Sequence, residues 1–231
     1  MGSEMCIRDR VGTVINLVMT VLAAYPLSRK DLAIRNPIML LFTFTMLFNG
    51  GMIPTYILIK NLGMLDSIWA LVVPTSISVW NLIITRTYFQ STIPGEVQES
   101  ASVDGCDDFT FLIKIAIPLA KPILAVNVLL YAVGHWNSYF NEMMYLSTNT
   151  KFPLQLVLRE ILVNMGTAGM TLDVTKQLEM QETKYLLQYS SIIVGSVPVM
   201  LLYPFVQKYF VKGIMVGAIK GCLLYTSPSP R

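Results

Sequence analysis

Charge is what this chain has least of. Only 13% of its residues are Asp, Glu, Lys or Arg, about half of the roughly 25% found in an ordinary soluble domain. That is too little to cover a water-facing surface, and a soluble globular fold is excluded. Histidine occurs once, at His135, and cysteine three times, at Cys6, Cys106 and Cys222. A zinc site, a Ser-His-Asp triad and a disulfide framework each need partners that such a composition does not offer. No GxxxxGK[ST] phosphate loop occurs, so ATP hydrolysis is not expected of the chain itself. No catalytic residue, metal or cofactor is expected. The net charge of +3 has no cluster of Lys and Arg behind it, so nucleic acid is not an expected partner.

What is abundant is hydrophobic sequence, 54% of the residues. Crossing the hydrocarbon core takes about 20 mostly apolar residues, and five runs stand out, at residues 11–27, 38–59, 68–85, 119–136 and 186–205. The fold class expected is all-α, a polytopic transmembrane helical bundle embedded in the lipid bilayer. Gly50, Gly51 and Pro54 interrupt the second run, Pro74 the third and Pro198 the fifth. Such residues are tolerated where neighbouring helices or cavity water satisfy the freed backbone groups. They fit kinked helices lining a pathway and simple bundle packing equally well.

Both ends read as foreign. Codons for Met5 to Arg10 (ATG-TGT-ATA-AGA-GAC-AG) have a reverse complement that, shifted by one base, encodes Cys-Leu-Leu-Tyr-Thr, the residues Cys222 to Thr226. The termini are thus consistent with opposite-strand readings of one adapter-type DNA element. Residues 1–10 and 222–231 are set aside as non-native, with residues 11–221 as the transmembrane domain and a native N-terminus expected to be missing.

Orientation follows the positive-inside rule. Arg29, Lys30 and Arg35 follow the first run, Arg86, Lys114 and Lys121 the third, and Lys208, Lys212 and Lys220 the fifth, whereas Lys60 alone follows the second. Alternating runs place the three richer segments, and the C-terminus, in the cytoplasm. The long connection from Asn137 to Tyr185 then lies outside. Within it, Leu154, Val157, Leu158, Ile161 and Leu162 are near helical spacing, which predicts an interfacial helix, and "TLDVTKQLEMQETKY" reads as a wetter second one.

The stretch "PGEVQESASVDGCDDFTFLIKIAIP", residues 94–118, is acidic and on the expected cytoplasmic side. Pro94 suits the first turn of a helix, Glu96 lies near its positive end, and Asp104-Gly105 reads as its stop. Ser100, Ala101 and Ser102 leave a low face that can pack tightly. A second helix from about Asp107 carries Phe109, Phe111, Leu112, Ile115 and Ile117 towards the membrane, with Pro118 at the start of the fourth run. This knuckle suits a groove on another protein; a solvated loop of incidental helicity is the plainer alternative.

Glu99, Ser100, Ala101, Gly105, Ile115, Ile117 and Pro118 reproduce the spacing E-A-A-x3-G-x9-I-x-L-P, departing from it at Ser100 and Ile117. The stretch resembles the EAA motif of membrane subunits of binding-protein-dependent ABC importers. "VLAAYPLSRKDLAIRN", "GMIPTYILIKNLGMLDSIWALVVP", "GHWNSYFNEMMYLS" and "QKYFVKGIMVGAIKG" resemble the carbohydrate, maltose-permease-like branch, nearest to permeases of complex oligosaccharides such as aldouronates. The resemblance covers residues 11–221, and the family's usual six spans against five here fit loss of the first.

It implies a permease subunit in a bacterial-type cytoplasmic membrane. Such a subunit pairs with a second permease as a heterodimer, with cytoplasmic ATPase subunits and with an extracytoplasmic solute-binding protein. The knuckle would be the coupling helix, Glu99 making a polar or capping contact at the joint with the ATPase, Ala101 packing closely there and Gly105 making the turn. Trp136, Asn137, Tyr139 and Asn141 suit sugar recognition, as they also suit anchoring at a membrane interface. Asn81 fits either the pathway or a helix–helix hydrogen bond. The alternatives are an importer for another solute, or a scaffold that recruits a cytoplasmic partner without transporting.

Overall fold

The structure, a computed structural model, describes residues 2–148, 151–168, 183, 185–201, 203, 204 and 207. The described residues are helical with no strand. The helices are α1 (Gly2–Ser28), α2 (Arg35–Leu47), α3 (Met52–Asn61), α4 (Trp69–Val72), α5 (Val79–Thr92), α6 (Gly95–Val103), α7 (Asp108–Phe111), α8 (Ile117–Leu119), α9 (Lys121–Asn137), α10 (Phe140–Tyr145) and α11 (Leu154–Ala168). Tyr185–Leu201 is an apolar helix, here α12. The polar stretch from Thr171 and the tail from Val211 fall outside the described residues, apart from Thr183 and Tyr185.

Side chains run opposite to a soluble fold. Leu40, Leu41, Phe44 and Leu47 of α2, Ile53 and Leu58 of α3, and Leu186, Met200 and Leu201 of α12 are exposed. Apolar surface of that extent needs an apolar solvent or a partner to cover it.

The apolar runs map onto helices with three departures. α1 begins before residue 11 and includes most of the segment set aside as foreign; its part Cys6–Ser28 is long and apolar enough to cross a membrane. The second run is not one straight helix, because it breaks between α2 and α3 at residues 48–51. Gly51 takes φ +89° at that break, a conformation open chiefly to glycine. The third run divides at Pro74 into α4 and α5. Among the described residues, α1, or up to three spans if each bent pair counts as one, is long and apolar enough to cross a membrane.

The chain divides into two compact units. The first comprises residues 1–13, 50–75 and 132–204, with Ile59, Ala70, Leu71, Tyr145 and Leu146 buried together. The rings of Tyr56 and Tyr145 stack there at 6.2 Å. In this unit Asp66 holds the backbone after α10. Its carboxylate accepts from the N–H groups of Ser147 at 3.1 Å and Thr148 at 3.2 Å, the Thr148 hydroxyl at 2.7 Å and Lys151 Nζ at 2.9 Å. The Lys151 ammonium and these donors hold the carboxyl well below the usual carboxylate range. His135 lies against the backbone of α1: a Cβ on Gly12 would stand 2.9 Å from its Nε2. The lone histidine packs there against α1, and a side chain at position 12 would have to displace it.

The second unit comprises residues 14–49, 76–131 and 205–231. Its core joins Val21, Ala24, Tyr25 and Leu27 of α1, Leu82 and Phe89 of α5, Ala101 of α6, Phe111 and Leu112. The Tyr25 ring meets Phe89 edge-on at 6.1 Å and Phe111 stacked at 6.3 Å. Buried polar side chains pair among themselves: Thr20 with the Tyr131 hydroxyl at 2.6 Å, and Asn127 Nδ2 to Thr85 Oγ1 at 2.6 Å. Such pairs serve as contacts between helices where no water is present.

Candidate functional site

The acidic stretch forms two helices around a tight turn in the second unit. α6 begins after Pro94, which is its N-cap with extended ψ 147° rather than a residue of its first turn. Gly105 ends it at φ +76°. The N–H of Cys106 bonds the Ala101 carbonyl at 2.9 Å and the N–H of Gly105 bonds that of Ser102 at 3.1 Å. This double closure, with a left-handed residue between, is the Schellman arrangement, and it satisfies two otherwise orphaned carbonyls. Asp107 then caps α7, its carboxylate accepting from the Phe109 N–H at 3.3 Å.

From α7 the chain does not run straight into the fourth apolar run. Leu112–Ala116 is a π-helical turn just before Pro118, whose ring and missing N–H disrupt regular α-helical bonding. The axis then bends by 82° between Asp108–Leu119 and α9. Ile115 and Ile117 are half-buried and Pro118 is exposed.

The faces of α6 differ from the sequence expectation in one respect. Ala101 is buried in the core of its own unit, so the close packing expected of it is made within this chain. It belongs there to one buried cluster with Tyr25 of α1 and Phe89 of α5. Glu99 is exposed, and Ser100, also exposed, returns its hydroxyl to the Glu96 carbonyl at 2.7 Å. Val103 is 88% exposed.

Polar side chains that the sequence reading did not single out tie this knuckle to the end of α1. Arg29 hydrogen-bonds Asp108 through one nitrogen and Asp31 through the other, the latter at 2.9 Å. Gln98 of α6 donates to the same Asp31 oxygen at 2.9 Å. Burial disfavours the Arg29 charge, but the bonds to Asp31 and Asp108 outweigh it and hold its pKa above the ordinary value. The bond from Arg29 also keeps the Asp31 carboxyl below its usual range. These groups line a cleft of about 670 Å³ with Tyr25, Gln90 and Glu99. Arg29 and Asp108 are 79 positions apart, and no local spacing pairs them.

The residues suited to solute fall in both units. Asn81, in the second, is buried, and its carbonyl accepts from the Thr85 hydroxyl at 2.6 Å. In the first unit, Trp136, one residue before the end of α9, donates from Nε1 to the Gly195 carbonyl at 2.9 Å. Asn137 and Tyr139 line a cleft with Gln155 and Arg159. Asn141 is half-buried in α10 and is not part of that lining. Sequence reasoning passed over Glu142, which is 2% exposed and takes a hydrogen bond from Arg8 at 2.8 Å. It also left Leu156 out of the helical pattern of α11, and Leu156 is buried.

No family model matches the chain. It is 43% identical, over 91% of its length and 73% of the relative's, to the polygalacturonan/rhamnogalacturonan transport system permease protein YtcP of Bacillus subtilis. It is 27% identical, over 90% of its length and 69% of the relative's, to the arabinooligosaccharides transport system permease protein AraQ of Bacillus subtilis. Its structure superposes with a TM-score of 0.77 and 32% identity, over 90% of this chain and 73% of the other, on a bacterial ABC transporter involved in the import of the acidic polysaccharide alginate. Long apolar helices, an outward-facing hydrophobic surface and these likenesses lead to one assignment: the chain belongs to the family of carbohydrate ABC transporter permeases.

Proposed function

We propose that this chain, paired with a second permease subunit, forms the translocation pathway for uronic-acid-containing oligosaccharides. Cytoplasmic ATPase subunits drive it through the knuckle of α6 and α7, and an extracytoplasmic binding protein delivers the solute. The five apolar runs serve as five of the family's six spans, with the knuckle and the C-terminus in the cytoplasm. The names of the relatives, which concern polygalacturonan and alginate, support the solute class.

The observation that carries the coupling role is the two-sided character of α6. Ala101 anchors one side in the core, and the other presents Val103 with 88% of its surface free. An exposed valine beside exposed carboxylates on a rigidly closed helix suits a partner's groove. A push received there passes through Gly105, Arg29 and the π-helical turn into α1 and α9, giving alternating access by rigid-body tilting.

The test is ATP-dependent uptake of an oligogalacturonide by the four-subunit complex in proteoliposomes supplied with the binding protein. Uptake is expected, as is a crosslink from Val103→Cys to an ATPase subunit, and Gly105→Asp should abolish uptake while leaving membrane insertion intact. Absence of uptake by the unaltered complex, or normal uptake by Gly105→Asp, would defeat the reading.

A further inference from the structure

The first unit holds a cleft of about 590 Å³ formed by the end of α9, the residues leading into α10, α11 and α12. That size lies within the roughly 300–1,000 Å³ of small-molecule sites. Asn137, Tyr139, Gln155, Arg159, Ser191 and Ser196 supply its polar lining, and Leu158 part of its apolar wall.

Arg159 is held by uncharged groups. Its guanidinium carbon lies 4.7 Å from the centre of the Tyr139 ring, a cation–π arrangement that orients the planar fork. One Nη donates to the Met143 sulfur at 3.6 Å, and a thioether is a weak acceptor. Among the described residues no carboxylate pairs with Arg159, whereas Arg8 and Lys151 of the same unit are engaged by Glu142 and Asp66. The facing wall is set firmly. The Trp136 bond to the Gly195 carbonyl ties α9 to α12, and Gln155 lies so close to Gly195 that an added Cβ would stand 3.2 Å from its Nε2. The cleft thus combines an oriented guanidinium, with no carboxylate partner among the described residues, with two amide side chains, a phenol and two hydroxyls.

We infer that this cleft is a binding site for a sugar acid, in which Arg159 receives the uronate carboxylate on paired N–H donors and Asn137 and Gln155 bind ring hydroxyls. The inference rests on the reading of the chain as a carbohydrate-importer subunit and deepens it by placing the acid-recognising group in this subunit. A planar carboxylate matches the guanidinium fork, and charge-assisted pairs are the stronger hydrogen bonds. The hydroxyl pattern of a neutral sugar would not call for the charge.

The assembled importer in proteoliposomes, with its binding protein, is given trigalacturonate and its partially methyl-esterified counterpart in separate uptake assays. For each variant the ratio of the two initial rates is divided by that of the unaltered complex. The binding protein's own preference, and any loss of folded transporter, cancel in this double ratio. Arg159→Gln is expected to lower it about tenfold, Arg159→Lys to lower it less, and Arg159→Glu to lower it further than Gln. Should Arg159→Gln fail to assemble, Arg159→Lys decides, since it keeps the charge and loses the fork; a drop of about threefold is expected. Ratios unchanged across the series overturn the inference and leave the importer reading standing. An equal fall for both sugars leaves the ratio unchanged and overturns it likewise. No uptake of either sugar by the unaltered complex removes the proposed import of uronic-acid oligosaccharides and this inference with it.

Discussion

The guanidinium of Arg29, just past the end of α1, is hydrogen-bonded to the carboxylate of Asp108 at the start of α7. With the bond to Asp31, which Gln98 shares, it links an apolar helix to both arms of the knuckle. Asp108 is 72% exposed, so severing the pair should cost less than about 1 kcal/mol of stability. The expected loss is in coupling. Arg29→Gln should reduce the stimulation of ATP hydrolysis by solute-loaded binding protein, and Asp108→Asn added to it should reduce it little further, since both remove one bond. Fully additive losses would show that the pair does not act as a unit.

Gly105 holds a left-handed conformation with open space where a side chain would go. The penalty for Gly105→Ala is therefore conformational, about 1–2 kcal/mol, and loosens the turn without a clash. Faster amide exchange at Gly105 and Cys106, which close the turn, is the expected signature. Unchanged protection would mean that the turn tolerates a side chain.

Asp66 makes the stability of the segment after α10 depend on pH. Its folded-state pKa is depressed, so its contribution is present above the ordinary Asp value of about 4 and is lost as pH falls through the folded value. Proteolysis near Ser147 to Lys151 should quicken on acidification below pH of about 4 in the native chain. Asp66→Asn should show fast cleavage at neutral pH and no such step. The same acid step in that variant would assign it to another group.

Gly12 and His135 predict a suppressor. Gly12→Ala forces a Cβ against the imidazole and should destabilise by about 1–3 kcal/mol, the usual range for overpacking. His135→Ala in the same chain should restore much of the loss. Thermal unfolding in detergent measures both, and failure of the second change to help would show that the contact is not steric.

Arg8 and Glu142 are 5% and 2% exposed, and the Ser138 hydroxyl donates to the other Glu142 oxygen at 2.8 Å. Arg8→Met strands a buried carboxylate and should cost about 3–5 kcal/mol, whereas Arg8→Met with Glu142→Leu should recover most of it. Equal losses in both unfolding curves would mean that the charge in the single variant is solvated.

By itself, the sequence determined the solvent, the helical class, the family and the local form of the knuckle. Each of these is written in composition or short spacing: few charges, long apolar runs, and Gly105 following a helix-compatible stretch. Only the tertiary structure decided that the second run breaks at Gly51, that Ala101 turns inward, and that Arg29 meets Asp108 and Asp66 meets Lys151. Glycine in a run is compatible with a kink or with close packing, and neighbouring elements choose between them. A helix face is assigned inward or outward by what lies against it. Ion pairs across 79 and 85 positions have no local signature, because their geometry exists only once distant segments are brought side by side.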